Sequence, residues 1–167
     1  ESLSDILKYS LRNDGSLVNL SAEIAHAVNY VNIQKIRYEN KFQFTIQYDG
    51  ESDDVQVIKL LLQPLIENAI KHGIRKQRAG GTVTIRVKHL EEHYCIEVEN
   101  DGEGMTAQEI ERALSPDGKS SGGVGLENIR RRLRMFYQTD LTLESRVGSW
   151  TRVKILLPDL NLQAAEP

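Results

Sequence analysis

Cysteine occurs once in the 167 residues, at Cys95. One thiol excludes an internal disulfide and a cysteine-based zinc site. No apolar run approaches the roughly 20 residues that span a bilayer, and no leader segment opens the chain. There is no basic excess: Lys and Arg number 21 against 24 Asp and Glu, a net charge of −3. A nucleic-acid binder ordinarily shows the opposite balance. Four histidines are too scattered to suggest a metal centre. These absences point to a cytoplasmic, reducing setting with no nucleic-acid partner and no membrane contact by this stretch. What is present is 40% hydrophobic residues in 18.9 kDa, enough for one domain with a real core and too much for general disorder.

The hydrophobic period changes several times along the chain. Leu3, Ile6, Leu7 and Leu11 recur at helical spacing over 2–12, and Asn13-Asp14-Gly15 supplies a turn. The abrupt start reads as the tail of a longer helix. Ile24, Val28, Val31 and Ile36 predict a second helix, from about Ser21 to Tyr38. Phe42, Phe44, Ile46 and Tyr48 alternate, as in a half-buried strand, and Asp49-Gly50 follows as a turn. Residues 58–74 read as one helix stopped near Gly73, with Pro64 marking either a helix start or a kink. Val83, Ile85 and Val87 alternate, as do Tyr94, Ile96 and Val98, which predicts an antiparallel pair turning near Glu91. A long glycine-bearing loop spans 102–125, with one helical turn around Ala107–Leu114. A helix follows from Gly125 to Tyr137, then strands at Leu141–Leu143 and Val153–Leu157, and a frayed tail after Pro158. There is no internal repeat and no regular β-α-β alternation. The expected fold class is an α/β two-layer sandwich, one mixed sheet covered on one face by helices.

Three stretches carry candidate chemistry. Residues 60–73 place Leu61, Leu65 and Ile66 on one helix face, and Glu67, Asn68, Lys71 and His72 on the other. Asn68 and His72 are one turn apart. An amide oxygen beside a lysine and a histidine suits a metal-bound polyphosphate, although an ordinary amphipathic helix reads the same way. In Glu99-Asn100-Asp101-Gly102-Glu103-Gly104-Met105 a strand runs into Gly-x-Gly, where a flat ring can approach the backbone. A simple acidic turn is the plainer reading. In Ser121-Gly122-Gly123-Val124-Gly125-Leu126 a glycine loop runs straight into a helix, whose free N–H groups favour phosphate. The arginines that follow, Arg130, Arg131, Arg132 and Arg134, read mostly as a solvated helix face. No Gly-Lys-Ser/Thr follows the glycines, and the His-Arg-Asp and Asp-Phe-Gly elements of protein Ser/Thr kinases are missing.

The order of these stretches resembles a known family. Glu67-Asn68-Ala69-Ile70-Lys71-His72 is similar to the N box of the GHKL, or Bergerat, ATP-binding fold. Asn100-Asp101-Gly102-Glu103-Gly104 resembles its first glycine box, Gly123-Val124-Gly125-Leu126-Glu127-Asn128 its second, and Gly148-Ser149-Trp150-Thr151 its closing Gly-x-x-Thr element. The wording of Leu62-Gln63-Pro64-Leu65-Ile66-Glu67-Asn68 and of Gly125-Leu126-Glu127-Asn128-Ile129-Arg130-Arg131-Arg132-Leu133 is similar to that of LytS/YesM-type sensor histidine kinases. So are Tyr9-Ser10-Leu11-Arg12 and Ile33-Gln34-Lys35-Ile36-Arg37-Tyr38.

The resemblance implies a Bergerat fold with a largely antiparallel sheet. It implies an ATP-binding catalytic domain at 15–160, the end of a dimerisation helix at 1–14 and a flexible tail at 161–167. Asn68 would hold Mg²⁺ through its side-chain oxygen, and Lys71 and His72 would meet the phosphates. Asn100, Gly102, Gly104, Met105 and Thr151 would serve the adenine side. Gly123, Val124, Gly125 and Leu126 would receive phosphate, and Met105 to Gly122 would form the ATP lid. The reaction would be phosphoryl transfer to a histidine, then on to a cognate response regulator, in a parent that is a membrane-anchored homodimer.

Two features depart from the pattern. Asn100 stands where the family has an adenine-reading aspartate; its oxygen can still accept from the exocyclic amine, without the charge. Asp101 should point the other way by strand alternation. None of His26, His72, His89 and His93 lies in the Pro-His-Phe context of the phosphoacceptor, so the stretch should bind ATP without phosphorylating itself. Two alternatives are a gyrase-like ATPase and a non-catalytic interaction module. Against the ATPase, the place of its water-activating glutamate, four residues before Asn68, holds Pro64.

Overall fold

The computed structural model describes residues 17–48, 55–71, 80–115 and 123–159. Its elements are β1 (Leu17–Asn19), α1 (Leu20–Arg37), β2 (Phe42–Gln47), β3 (Gln56–Ile58), α2 (Leu62–Ala69), β4 (Gly81–Leu90), β5 (His93–Asp101), α3 (Ala107–Leu114), α4 (Gly123–Tyr137), β6 (Leu141–Arg146) and β7 (Trp150–Pro158). The predicted first helix, the Asp49-Gly50 turn, the domain limits at 1–14 and 161–167 and the end of the tail lie outside the described residues.

Five strands form one sheet in the order β2-β4-β5-β7-β6. β2 runs parallel to β4 and the other pairings are antiparallel, so the sheet is mixed and largely antiparallel, as expected. The β4–β5 hairpin turns at Glu91 and Glu92, where the sequence places it. Alternation sorts the side chains. Val83, Ile85 and Val87 of β4, Ile96 and Val98 of β5, and Val153, Ile155 and Leu157 of β7 are buried on one face. Leu20, Ala27 and Val31 of α1, Leu62, Leu65 and Ile66 of α2, and Leu126, Ile129 and Leu133 of α4 belong to the same core. Each fully buried aliphatic side chain contributes about 1.5–3 kcal/mol. The result is the two-layer sandwich.

The other face of the sheet carries a row of polar side chains, one from each strand. Arg86 Nε donates to Gln47 Oε1 at 3.0 Å, and Arg86 Nη2 to Glu99 Oε1 at 3.2 Å. Arg152 Nε donates to Glu99 Oε2 at 2.7 Å, and Arg152 also pairs with Glu144 at 3.9 Å. Partial burial pushes the Glu99 carboxyl up, but hydrogen bonds from Arg152 and Arg86 outweigh it and hold the group below its ordinary range.

The helix read over 58–74 is divided in the structure. Gln56–Ile58 is strand β3, paired antiparallel with β1 in a separate two-stranded sheet. Lys59 and Leu60 form a turn, and α2 starts at Leu62. Leu60 has φ +58, a left-handed conformation that costs a leucine about 1–2 kcal/mol. The stabilising partner is distant in sequence. The Glu23 carboxylate, fully buried, accepts from the N–H groups of Leu60 at 2.6 Å, Leu61 at 2.9 Å and Leu62 at 3.2 Å. A negative side chain at a helix N-terminus satisfies orphan donors and complements the dipole. Pro64 falls in the first turn, where no intrahelical bond is lost, so it marks a start and not a kink.

The glycine-rich region holds more helix than predicted. α3 is an eight-residue helix fixed by a capping box, in which Thr106 Oγ1 accepts from Glu109 N and Glu109 Oε2 from Thr106 N. α4 begins at Gly123, two residues earlier than expected. The reading of its arginines as solvated holds for Arg131 and Arg134, which are exposed, and fails for Arg130 and Arg132. Arg130 binds Asp140 with two nitrogens at 3.0 Å and donates to the carbonyl of Leu114. Arg132 Nη2 donates to the Lys59 carbonyl at 2.5 Å. Both serve as ties between elements.

Candidate functional site

α2 presents Asn68 towards the start of α4. The two helices come so near that a Cβ added at Gly125 would lie 3.7 Å from Pro64 Cβ and 4.0 Å from Asn68 Nδ2. Any larger side chain at 125 would occupy the space beside that amide. Asn68 is only half-buried, yet its Nδ2 is shut from solvent and has no hydrogen-bond partner among the described residues. A buried donor left unmade costs about 1–3 kcal/mol. It therefore asks for an acceptor, and an anionic oxygen there would also meet the unpaired N–H groups of the first turn of α4. The other limb of the same amide is an oxygen, the donor type a hard divalent cation takes. The side-chain chemistry thus fits a metal-bound phosphate. Glu67, by contrast, is exposed and accepts from Gln63 Nε2 at 2.8 Å.

A second cluster forms at the end of β5. Asn100 is 5% exposed and lies on the helix-bearing face, while Asp101 is exposed and accepts from Thr82 N at 2.6 Å. Alternation therefore separates the two as expected. Asn100 Nδ2 donates to the Asp101 carbonyl at 3.1 Å, which directs its oxygen limb elsewhere as the acceptor. Thr151 is the β7 residue opposite Asn100. Its hydroxyl lies 2.8 Å from Ser145 Oγ. Ser145 Oγ donates to the Trp150 carbonyl at 2.6 Å and accepts from Met105 N at 2.8 Å. With the serine proton committed to Trp150, the Thr151 hydroxyl is the donor in that pair. Ser145 thus ties Met105 to Thr151, a role the sequence reading missed. Its only local signal is an inward place in the alternation of β6.

The glycines of this region rest on the β6–β7 turn. Gly102 N donates to Ser149 O at 3.0 Å and Gly148 N to Glu103 O at 2.6 Å. Gly104 has φ +66, and a Cβ there would fall on the Arg146 carbonyl. Packing within the chain therefore already demands glycine at 104. The structure brings Asn68 to Gly125, and Asn100 to Thr151. α2 packs against β5, so both pairs lie on the helix side of that strand. Leu126 is buried in the core, which leaves its backbone as the part available to a ligand. Lys71 is exposed at the π-type turn that ends α2. His72 lies outside the described residues, as does the side chain of Val124. A cavity of about 420 Å³ lies elsewhere, lined by Asn40, Lys41, Phe42, Gly80 and Thr82 at the start of β2 and β4.

The comparisons bear on this geometry. A family model described as histidine kinase-, DNA gyrase B- and HSP90-like ATPase matches residues 53–161, and a histidine kinase model matches 1–42. YwpD of Bacillus subtilis is 31% identical over 152 residues, 90% of this chain and 54% of that protein. Sensor histidine kinase YesM of Bacillus subtilis is 32% identical over 163 residues, 96% of this chain and 27% of that protein. The chain thus spans about half and about a quarter of these relatives. The nucleotide-free catalytic domain of histidine kinase ThkA superposes with a TM-score of 0.67 at 20% identity, covering 86% of this chain and 95% of that one, a likeness of fold. With Asn68, Asn100, Gly125 and Thr151 all inside a matched stretch that covers more than half of its length, the chain belongs to the histidine kinase-, DNA gyrase B- and HSP90-like ATPase family.

Proposed function

We propose that the chain is the ATP-binding catalytic domain of a two-component sensor histidine kinase. It transfers the γ-phosphoryl group of ATP to a histidine on a segment of the same kinase. In that step the bond from the γ-phosphorus to the bridging oxygen breaks, ADP leaves, and a P–N bond forms. Such transfers need positioning and charge stabilisation more than covalent help from the protein. The observation that carries the reading is the buried, unpartnered Asn68 Nδ2 beside Gly125 at the start of α4.

The residues take the following parts. Asn68 would hold Mg²⁺ through its side-chain oxygen, and the ion would supply charge neutralisation at the phosphates. Lys71 and His72 meet the phosphates. The backbone of Gly123, Val124, Gly125 and Leu126 receives them at the helix N-terminus. Asn100 accepts from the adenine amine, and Gly102, Gly104, Met105 and Thr151 shape the adenine side. Pro64 offers no base to activate water, which favours transfer to a side chain over hydrolysis.

The relatives' names support the same assignment. Residues 1–14 end the dimerisation helix, 15–160 form the catalytic domain and 161–167 the tail. The phosphoryl group then passes to a cognate response regulator. The parent is a membrane-anchored homodimer with this domain on the cytoplasmic side; no helix among the described residues is long and apolar enough to cross a membrane. Calorimetric titration of the chain with a non-hydrolysable ATP analogue, with and without Mg²⁺, tests the reading. Saturable binding strengthened by Mg²⁺ is expected. Absence of binding in both titrations would overturn it.

A further inference from the structure

The turn at 59–62 joins three helices. From α1, Glu23 accepts three backbone N–H groups, those of Leu60, Leu61 and Leu62. From α4, Arg132 donates to the Lys59 carbonyl. The turn itself holds Leu60 in the left-handed region and launches α2. From this junction two helices run to the nucleotide site. Leu62 to Asn68 is about 9 Å of α2, and Arg132 back to Gly125 is about 10 Å of α4, at 1.5 Å per residue. Asn68 and Gly125 meet at their far ends. One buried turn therefore sets the relative placement of the two groups. A tilt of about 10° at the N-terminus of α2 moves Asn68 by more than 1 Å over such a lever.

We infer that Glu23 is a positioning residue for the phosphate side of the nucleotide site: its carboxylate fixes the N-terminus of α2 and, through it, the place of Asn68 opposite Gly125. The inference rests on the nucleotide reading of that pair. Glu23 lies in the stretch matched by the histidine kinase model, residues 1–42, whereas Asn68 and Gly125 lie in the ATPase-family stretch, residues 53–161. The contact thus crosses from one family segment to the other. A second bond follows the same seam one turn further on, where His26 Nε2 meets Gln63 Oε1 at 2.7 Å. A glutamine at 23 keeps the shape but not the chemistry. One of its limbs is a donor and cannot accept from Leu60, or from Leu61 and Leu62.

The test compares Glu23→Gln with the wild-type chain by three measurements. These are amide exchange at 60–62, the Asn68 side-chain amide resonances without nucleotide, and calorimetric affinity for a Mg²⁺–ATP analogue. Glu23→Gln should speed exchange at 60–62, move the Asn68 resonances and weaken the affinity by about tenfold or more. Leu60→Gly in the Glu23→Gln background should partly restore the Asn68 resonances and the affinity, because glycine adopts a positive φ without a Cβ penalty. Asp159→Asn removes another buried carboxylate, at the hairpin end of the sheet. It should lower stability and leave the affinity unchanged. If Glu23→Gln does not fold, Glu23→Asp, one methylene shorter, should show the same shifts in milder form. Fast exchange at 60–62 with unmoved Asn68 resonances and wild-type affinity would overturn the inference and leave the nucleotide reading standing. A wild-type chain that ignores the analogue while the Asn68 resonances still move in Glu23→Gln would overturn that reading and uphold the positioning.

Discussion

On β5, neighbours one residue apart meet opposite surroundings. Glu99 faces out, where Arg86 and Arg152 hold it in a row that crosses all five strands. Asn100 faces in, among aliphatic side chains under the helix layer. On the outer face each charge has an opposite charge or an amide beside it, and even the covered guanidinium of Arg86 is held by Gln47 and Glu99, so the pairing there accounts for itself. On the inner face water cannot replace a missing partner. Polar groups there are few, and each demands a reason: Glu23 satisfies a helix start, Asn100 bonds the backbone, and Asn68 keeps a buried donor with no partner among the described residues. The contrast teaches where to look for a ligand. Two buried donors go unanswered among the described residues, Arg86 Nη1 in the charged ladder and Asn68 Nδ2 on α2, and only the second stands beside the glycine that opens a helix.

Four expectations put this contrast at risk. Truncating the inner face should have the largest effect. Ile155→Ala, at a fully buried site, should lower unfolding free energy by about 2–5 kcal/mol in denaturant titration. Next come the phosphate-side residues. Asn68→Asp should put a charge beside the phosphates, and Gly125→Val should fill the space beside that amide. Each should weaken calorimetric Mg²⁺–ATP affinity by about 100-fold, near 2.7 kcal/mol, with the circular dichroism spectrum unchanged.

Asn100→Asp should act in two directions. Without nucleotide, the carboxylate faces the Asp101 carbonyl and loses the bond to it, lowering stability by about 1–2 kcal/mol. With ATP, binding should be preserved or strengthened, and thermal shift assays with and without nucleotide separate the two.

The smallest effect belongs to the outer row: Glu99→Gln should change stability by about 0–1 kcal/mol and leave ATP affinity alone. The same variant reports on acid. Glu99 and Asp140 both ionise below the ordinary carboxylate range; burial raises each, and their arginine partners more than reverse it. Above the unfolded carboxylate pKa of about 4 their stabilisation is complete. As the pH drops through the folded values the unfolded state binds protons first and stability falls. Glu99→Gln should flatten part of that fall in melts recorded across the acid range. A steep loss of ATP affinity in Glu99→Gln would erase the distinction between the faces.

Much of the sheet was legible in the sequence because its signal is local. Ile96, Val98 and their neighbours alternate with period two, and the β4–β5 turn sits at Glu91 in both sequence and structure. α4 was legible for the same reason, through Leu126, Ile129 and Leu133. The family was legible from the order of the motifs, and the division of Asn100 from Asp101 followed from alternation alone. Other features escaped because their causes are non-local. The break at 59–61 inside an apolar run depends on Glu23, 37 residues or more away. β1 and β3 are three-residue strands that exist by pairing with each other. Arg130 and Arg132 look like charges on a helix, and only their tertiary partners, Asp140, Leu114 and Lys59, make them ties. Ser145 became meaningful only with Met105 and Thr151 beside it.

Arg130 carries one more implication. By gripping the last carbonyl of α3 and the Asp140 carboxylate together, it clamps α4 to the end of α3 and to the residue that leads into β6. A single guanidinium thus spans three elements, so its loss would loosen two seams at once and leave Arg134 as the remaining arginine on the Asp140 carboxylate.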